Sequence, residues 1–443
     1  MKIQLSEHFT YKKLLLFVLP SVVMMVFTSI YTVVDGLFVT NFVGKGPFTA
    51  INLMYPVLMI LGAFGFMIGT GGTAIVSKTM GEGENEKANR YFSMLIYTTL
   101  ILGGALAVIG FVLLPRLSEL LGAKENTLKD CVLYGRIILI ALPFFMLQNV
   151  FQSFFVSAEK PKLGLFVMIA AGCANIILDA LFVAAFRFGL AGAAIATAVS
   201  QITGGIIPIV YFARKNNSRL RLVKAGFNAK ILLKTCTNGS SELMTNVAAS
   251  VVTILYNFQL LRFAGDDGVA AYGVIMYVAF IFSAIFFGYS IGSAPLVGYH
   301  YGAANRNELK NLFKKSLILT SIAGSAMLIV SFALSAPLAK LFVGYDQALY
   351  EMTTRGLKIY AFSFLLSGFN VFGSAFFTAL NNGAVSAAIS FLRTLIFQSA
   401  SVLLLPLVLK LDGIWGAIIL AEFLSGIVTI AFLVGMRKRY GYA

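Results

Sequence analysis

The chain reads as an all-α membrane protein: twelve transmembrane helices in two pseudo-symmetric six-helix bundles. Three observations predict this. Hydrophobic residues make up 59% of the 443 and charged residues only 12%, with a mean hydropathy of +0.87, whereas soluble domains carry about 25% charged residues. Apolar stretches recur along the whole length, each long enough to cross a hydrocarbon core of about 30 Å. The chain also repeats itself. Gly189-Leu190-Ala191-Gly192-Ala193 returns as Gly413-Ile414-Trp415-Gly416-Ala417, Met54-Tyr55 as Met276-Tyr277, and Asn149-Val150-Phe151 as Asn370-Val371-Phe372, at a nearly constant offset of 221 to 224 positions. A repeat on this scale is the signature of many secondary transporters, which rock two related bundles about a central site.

In the first half the spans are expected at 14–40, 51–77, 92–114, 131–156, 163–186 and 189–212. The second half places them at 237–262, 268–297, 313–340, 355–379, 384–409 and 412–436. Their breaks are polar and turn-like, as in Gly81-Glu82-Gly83-Glu84-Asn85 and Phe263-Ala264-Gly265-Asp266-Asp267-Gly268. Alternating barrel strands are absent, so the spans are helices. The first apolar run is too long for a cleavable signal and lacks a small-residue cleavage pattern, so it is expected to be the first span.

The net charge of +16 invites a nucleic-acid partner, but its distribution excludes one. In chain order, one side of the membrane receives Lys2, Lys12 and Lys13, then Lys78, Lys87 and Arg90, then Lys160 and Lys162. The stretch 214–234 adds Arg214, Lys215, Arg219, Arg221, Lys224, Lys230 and Lys234, and Arg306, Lys310, Lys314, Lys315 and Arg437-Lys438-Arg439 complete the set. That is 22 of 34 basic residues on one side. The positive-inside rule places that side, with both termini, in the cytoplasm of a cell (plasma or inner) membrane. The division is expected to be an N-terminal lobe at 1–213, a basic cytoplasmic linker at 214–234 and a C-terminal lobe at 235–443. Leu220, Leu222, Val223 and Phe227 suggest that part of the linker lies along the membrane surface. Three cysteines, Cys131, Cys173 and Cys236, show no metal spacing.

Charges inside spans cost about 2.5–3.5 kcal/mol each on insertion scales, so each is a functional candidate. Asp35 and Asp179 both sit roughly 10 Å below the outer surface at 1.5 Å per residue. Thr197 reaches a similar depth, and Asn175 is one helical turn inward of Asp179 on the same face. Two carboxylates at matching depth, with amide and hydroxyl partners, can hold a proton between them or coordinate a monovalent cation through oxygen. Met24, Thr28, Tyr31 and Phe38 share the Asp35 face. A soft aromatic lining around an acid suits amphipathic cations, although such stripes are more often ordinary packing. The repeat sets Asn257 against Asp35, Leu403 against Asp179 and Ala421 against Thr197, so the paired acids are confined to the first half. Pro20 interrupts the first span and is a candidate hinge below Asp35.

In the second half, Arg393 and Glu422 fall at similar mid-membrane depth on neighbouring spans, which suggests a buried ion pair acting as a clamp. Glu242, near the inner end of span seven, is read as interfacial, and His300, at the inner end of span eight, as a loop or cavity polar group.

With these residues assembled, the chain resembles the multidrug and toxic compound extrusion (MATE) family of drug/cation antiporters. The likeness runs the full length and rests on Tyr31-Thr32-Val33-Val34-Asp35-Gly36-Leu37-Phe38-Val39, Asn175-Ile176-Ile177-Leu178-Asp179, Gly189 to Thr197, and Tyr299-His300-Tyr301-Gly302-Ala303. The resemblance implies a V-shaped bundle alternating between outward- and inward-facing states. It also implies a first-lobe cation network on Asp35, Asn149, Asn175, Asp179 and Thr197. Asn149 is the least secure member, since its depth estimate lies nearer the cytoplasm, and His300 departs from the asparagine the family pattern leads one to expect. The expected function is a monomeric antiporter that exports amphipathic, mostly cationic compounds in exchange for H+ or Na+, with no cofactor, metal or nucleic acid. A lipid-linked oligosaccharide flippase of the same superfamily would need a strongly cationic cavity, and few mid-membrane cations besides Arg393 are available. A membrane-embedded enzyme lacks a catalytic inventory, with only His8, His300 and the adjacent Asp266-Asp267 to draw on. ATP-driven transport lacks a phosphate loop.

Overall fold

A computed structural model describes residues 3–43 and 45–443; the side chains of residues 37, 39–41, 45, 46 and 48 also fall outside the description, as does Lys2 of the basic set. Among the described residues every regular element is helical. Helices α1 (Tyr11–Phe42), α2 (Lys45–Gly81), α3 (Asn85–Leu120) and α4 (Glu125–Ser157) come first. Then α5 (Pro161–Asp179) runs on through a π-helical turn, Ala180–Ala185, and α6 (Gly189–Ala213) ends the first half.

The next helix, Ala229–Gly302, is 74 residues long and breaks only at Gly265, giving α7 (229–264) and α8 (266–302). The polar stretch expected to be a loop there is a one-residue kink, at a positive φ that glycine adopts without strain. Helix α9 is Arg306–Val343, and α10 is the pair Gln347–Ala361 and Phe364–Ala379, bent by 49°. Helix α11 runs from Gly383–Phe391 through a second π turn, Leu392–Phe397, to Gln398–Leu404. Helix α12 lies within Pro406–Tyr440, beyond a kink at Lys410. Among the described residues ten helices are individually long and apolar enough to span, the one broken at Gly265 counting once. Dividing it and counting the bent pair as one span gives twelve. The helices outrun the apolar windows of the sequence because hydropathy marks only the part of each helix in hydrocarbon.

Both chain ends lie at the same end of the bundle, since Phe9 bonds to Glu308 and Tyr442 packs on Phe313. This end is called the base and the opposite end the mouth. At the base a single apolar core runs through both halves, with Val18, Val76, Phe92 and Phe151 in one cluster with Leu296, Val297, Phe372 and Phe376. Toward the mouth each half keeps its own core, around Met54, Leu114 and Leu190 in the first and around Tyr256, Tyr272 and Trp415 in the second. The halves are therefore joined at the base and separate toward the mouth.

Small residues let the base close. A Cβ on Gly71 of α2 would strike the Thr235 carbonyl of α7, one on Gly239 would strike the Met67 carbonyl, and one on Gly302 the Lys78 carbonyl. Gly288 and Gly292 of α8 pack on Val22 and Val18 of α1 in the same way. Lipid supplies no hydrophobic drive for helices to associate, so close backbone approach of this kind carries much of the packing. By contrast a Cβ on Gly273, nearer the mouth, would meet no described atom within 4 Å. Residues 214–228 form no regular helix. Their backbone is pinned along α3 by Arg221 N donating to Asn89 Oδ1 (2.8 Å) and Val223 N to Ser93 Oγ (2.9 Å), with Leu220 fully buried. This stretch is a strap laid along α3, with Phe227 left exposed.

Candidate functional site

The first-half site is assembled by α1 and α5, which pack side by side. Asp179 is fully buried at the end of the α-helical part of α5, where the π turn begins, and Asn175 lies one turn inward at 2% exposure. Turns of this type insert an extra residue into a helix and recur at functional sites. Asp35 comes from α1. The side chains of Asp35, Asn175 and Asp179 lie close enough for Asp35 to hydrogen-bond to both others, which two carboxyls can do only with a proton between them. Without that proton, no hydrogen bond among the described residues reaches Asp35 Oδ1, either Asp179 carboxylate oxygen or Asn175 Oδ1, all of them buried. These four oxygens outnumber the Asn175 amide beside them, and burying acceptors unpaired is costly.

Helix α6 brings Thr197 to the rim. Ser200 Oγ donates to the Ala171 carbonyl at 2.8 Å. In this antiparallel pair the bond sets Thr197, three residues back, level with Asn175, four residues on. Thr197 makes no hydrogen bond to the two acids among the described residues. Asn149, 3% exposed on α4, points elsewhere: its Nδ2 donates to the Gly62 carbonyl of α2 at 3.4 Å. It ties α4 to α2 rather than joining the acids.

The other residues singled out on α1 divide along the helix. Met24 is buried in the packing and Thr28 Oγ1 donates to its carbonyl at 2.9 Å. Tyr31 lies within electrostatic range of Asp35, and its hydroxyl faces the Gln148 amide. Phe38 stacks on Phe42 nearer the mouth, with centroids 5.8 Å apart. Pro20 is accommodated without a break, since α1 continues from Tyr11 to Phe42. Two neighbours escaped the sequence reading: Tyr134 of α4, in electrostatic range of both acids, and Gln148. Nothing local to their positions marks them; only the packing of α4 on α5 and α6 does.

In the second half Arg393 lies inside the π turn of α11. It donates to Glu422 Oε1 twice, from Nη2 at 2.6 Å and Nε at 2.9 Å. Asn370 Nδ2 donates to Glu422 Oε2 at 2.6 Å and to the Glu422 carbonyl at 2.9 Å. The pair is thus a triad. Its third member occupies the repeat position of Asn149, so one inherited asparagine bonds to a backbone carbonyl in the first half and to a buried acid in the second. Glu242, half-buried on α7, lies within electrostatic range of Arg393 rather than out at an interface. Asn257 is half-buried on α7. His300 is 2% exposed, with its ring edge-on to Phe9 at 6.5 Å and close to the Leu5 and Glu7 backbones.

Comparison with known proteins places this geometry in context. The MatE family model matches the chain twice, over residues 20–181 and 243–401, in step with the internal repeat. The multidrug export protein MepA of Staphylococcus haemolyticus is 24% identical over 98% of this chain and 95% of its own length. Among solved structures, a multidrug resistance MATE family transporter of the MOP superfamily in an outward-facing conformation superposes with a TM-score of 0.93. It is 20% identical and covers 99% of this chain and 98% of its own. A MOP superfamily transporter from Pyrococcus furiosus, whose binding pocket has a reverse polarity suggesting a different function, gives 0.90 at 21% identity, covering 98% and 97%. These two likenesses establish a shared fold.

Proposed function

This chain belongs to the MatE family of multidrug efflux transporters, and from that premise we propose that it is an antiporter coupling inward flow of H+ or Na+ to export of amphipathic, mostly cationic compounds. The observation that carries the proposal is the bare oxygen cluster of Asp35, Asn175 and Asp179. Two carboxyls in contact and out of water cannot both stay ionised without a counter-charge. A proton shared by Asp35 and Asp179, or a monovalent cation held by the same oxygens, answers that need. In this reading Thr197 completes the rim, Asn149 braces α4 against α2 behind it, Met24 packs behind the α1 face, and Tyr31, Thr28, Phe38 and Asn257 border the path of the cargo.

Coupling then follows from differential affinity. A bound cation changes the site's charge, so the charged and neutral forms favour different packings of α1 on α5, and occupancy shifts the balance between mouth-open and base-open states. The lobes 1–213 and 235–443 would rock about the base, joined by 214–234, with both termini in the cytoplasm and Pro20 taking up bending in α1. The flippase alternative calls for free cations along the cavity, and Arg393 is already committed to Glu422.

The test is efflux from proteoliposomes with pH and Na+ gradients imposed separately. Asp35→Asn and Asp179→Asn should each abolish gradient-driven efflux, and Asn175→Ala should cut it to near background. Efflux at the wild-type rate in either aspartate variant would remove the pair from the mechanism. The gradient that drives wild-type efflux identifies the ion.

A further inference from the structure

We propose that residues 3–10, ahead of the first span, form a latch that pins the two halves together at the base, and that the base cannot open until the latch lets go. The inference concerns the switch between states and stands apart from which ion or cargo is carried. Residues 3–10 have no helix to satisfy their backbone, yet Leu5 and Phe9 are both fully buried. Their amides are held by carboxylates from opposite halves. Leu5 N donates to Glu159 Oε1 at 2.9 Å, in the turn between α4 and α5. Phe9 N donates to Glu308 Oε1 at 2.9 Å, in the first turn of α9.

Each anchor is reinforced. Arg219, from the strap between the halves, donates from Nε to Glu159 Oε1 at 2.9 Å. His8 Nδ1 donates to Glu308 Oε2 at 2.6 Å, and Asn311 Nδ2 to Glu308 Oε1 at 2.7 Å. The Phe9 carbonyl accepts from Lys315 Nζ at 2.5 Å and from Asn311 Nδ2 at 3.0 Å. Hydrogen bonds to charged groups are shorter and stronger than neutral ones.

Chain length turns these bonds into a limit on motion. Leu5 and Phe9 are four residues apart, and a fully extended chain spans at most about 3.3–3.6 Å per residue, so the link between the two amides cannot exceed about 14 Å. With a 2.9 Å bond at each end, any opening that carries the Glu159 and Glu308 carboxylates more than about 20 Å apart must break one anchor. The close contacts of α2 with α7 and of α1 with α8 lie in the same end of the bundle, so latch and base open together. Release would also uncover the apolar seat of Phe9 against Phe17 and His300.

Cys236 is a native reporter. It lies on α7 beside Thr235, which meets Gly71 of α2, and it is partly buried in the base core. The experiment is peptide-resolved alkylation of Cys236 by a membrane-impermeant maleimide, on the full chain in lipid nanodiscs. Wild-type protein is compared with Glu159→Gln/Glu308→Gln. Losing both charges weakens two anchors built of charge-assisted bonds, and the alkylation rate should rise about tenfold or more. An unchanged rate in a folded double variant overturns the proposal. Should that variant not fold, hydrogen exchange on the wild-type chain decides. The Leu5 and Phe9 amides should exchange faster under whichever pH, Na+ concentration or cargo raises Cys236 reactivity, and protection that stays constant while Cys236 becomes reactive also overturns it.

Discussion

Replacing Arg393 by leucine strands a carboxylate in the membrane core. Glu422 is 1% exposed, and Arg393 supplies both donors to its Oε1. Asn370 remains on Oε2, but a neutral amide does not balance the charge. Removing one partner of a buried pair costs about 3–5 kcal/mol. In Arg393→Leu/Glu422→Leu no charge is stranded, and stability should return to the wild-type level or exceed it by about 1–4 kcal/mol. The assay is unfolding in mixed micelles by added SDS, followed by fluorescence. The chain has one tryptophan, Trp415, buried at 1% exposure two turns before Glu422, and it reports the second half directly. A wild-type midpoint for Arg393→Leu, or a double variant no more stable than the single one, would refute the reasoning.

Three further outcomes are expected. Gly71→Ala drives a methyl into the Thr235 carbonyl and the Gly239 amide, so it should cost about 1–3 kcal/mol in the same unfolding assay as an overpacked contact; no loss would mean the α2–α7 crossing is looser than described. Gly265→Ala meets no atom within 4 Å, yet its φ of 62° and ψ of −151° lie where only glycine is at ease, so a cost of about 1–3 kcal/mol should appear from backbone strain alone. Glu7 accepts from Lys13 Nζ and Gln4 N, which holds its carboxyl below the usual range. A lowered pKa gives a contribution fully present above the ordinary value and lost as pH falls through the lowered one. Hydrogen-exchange protection factors of residues 4–9 should accordingly be flat from about pH 8 to pH 5 and fall only in stronger acid; a drop beginning near neutrality would count against this contact.

The sequence by itself determined the helical class, the two related halves and the residues that hydrocarbon penalises. Hydropathy and the insertion cost of a charge are paid residue by residue, so Asp35, Asp179, Arg393 and Glu422 stand out wherever their helices lie. Depth counting also matched Arg393 with Glu422, because position along a span is itself a local quantity. Direction around the helix is not. Asn149 and Asn370 share a repeat position, yet one bonds to Gly62 and the other to Glu422, and only the rotation and crossing of neighbouring helices decides which. Glu242 moves for the same reason from an expected interface to the neighbourhood of Arg393. Residues 3–10 left no pattern to read at all. Their backbone amides find carboxylates 154 and 299 positions away; the first bond exists only after the first half has folded, and the second only after the two halves have packed.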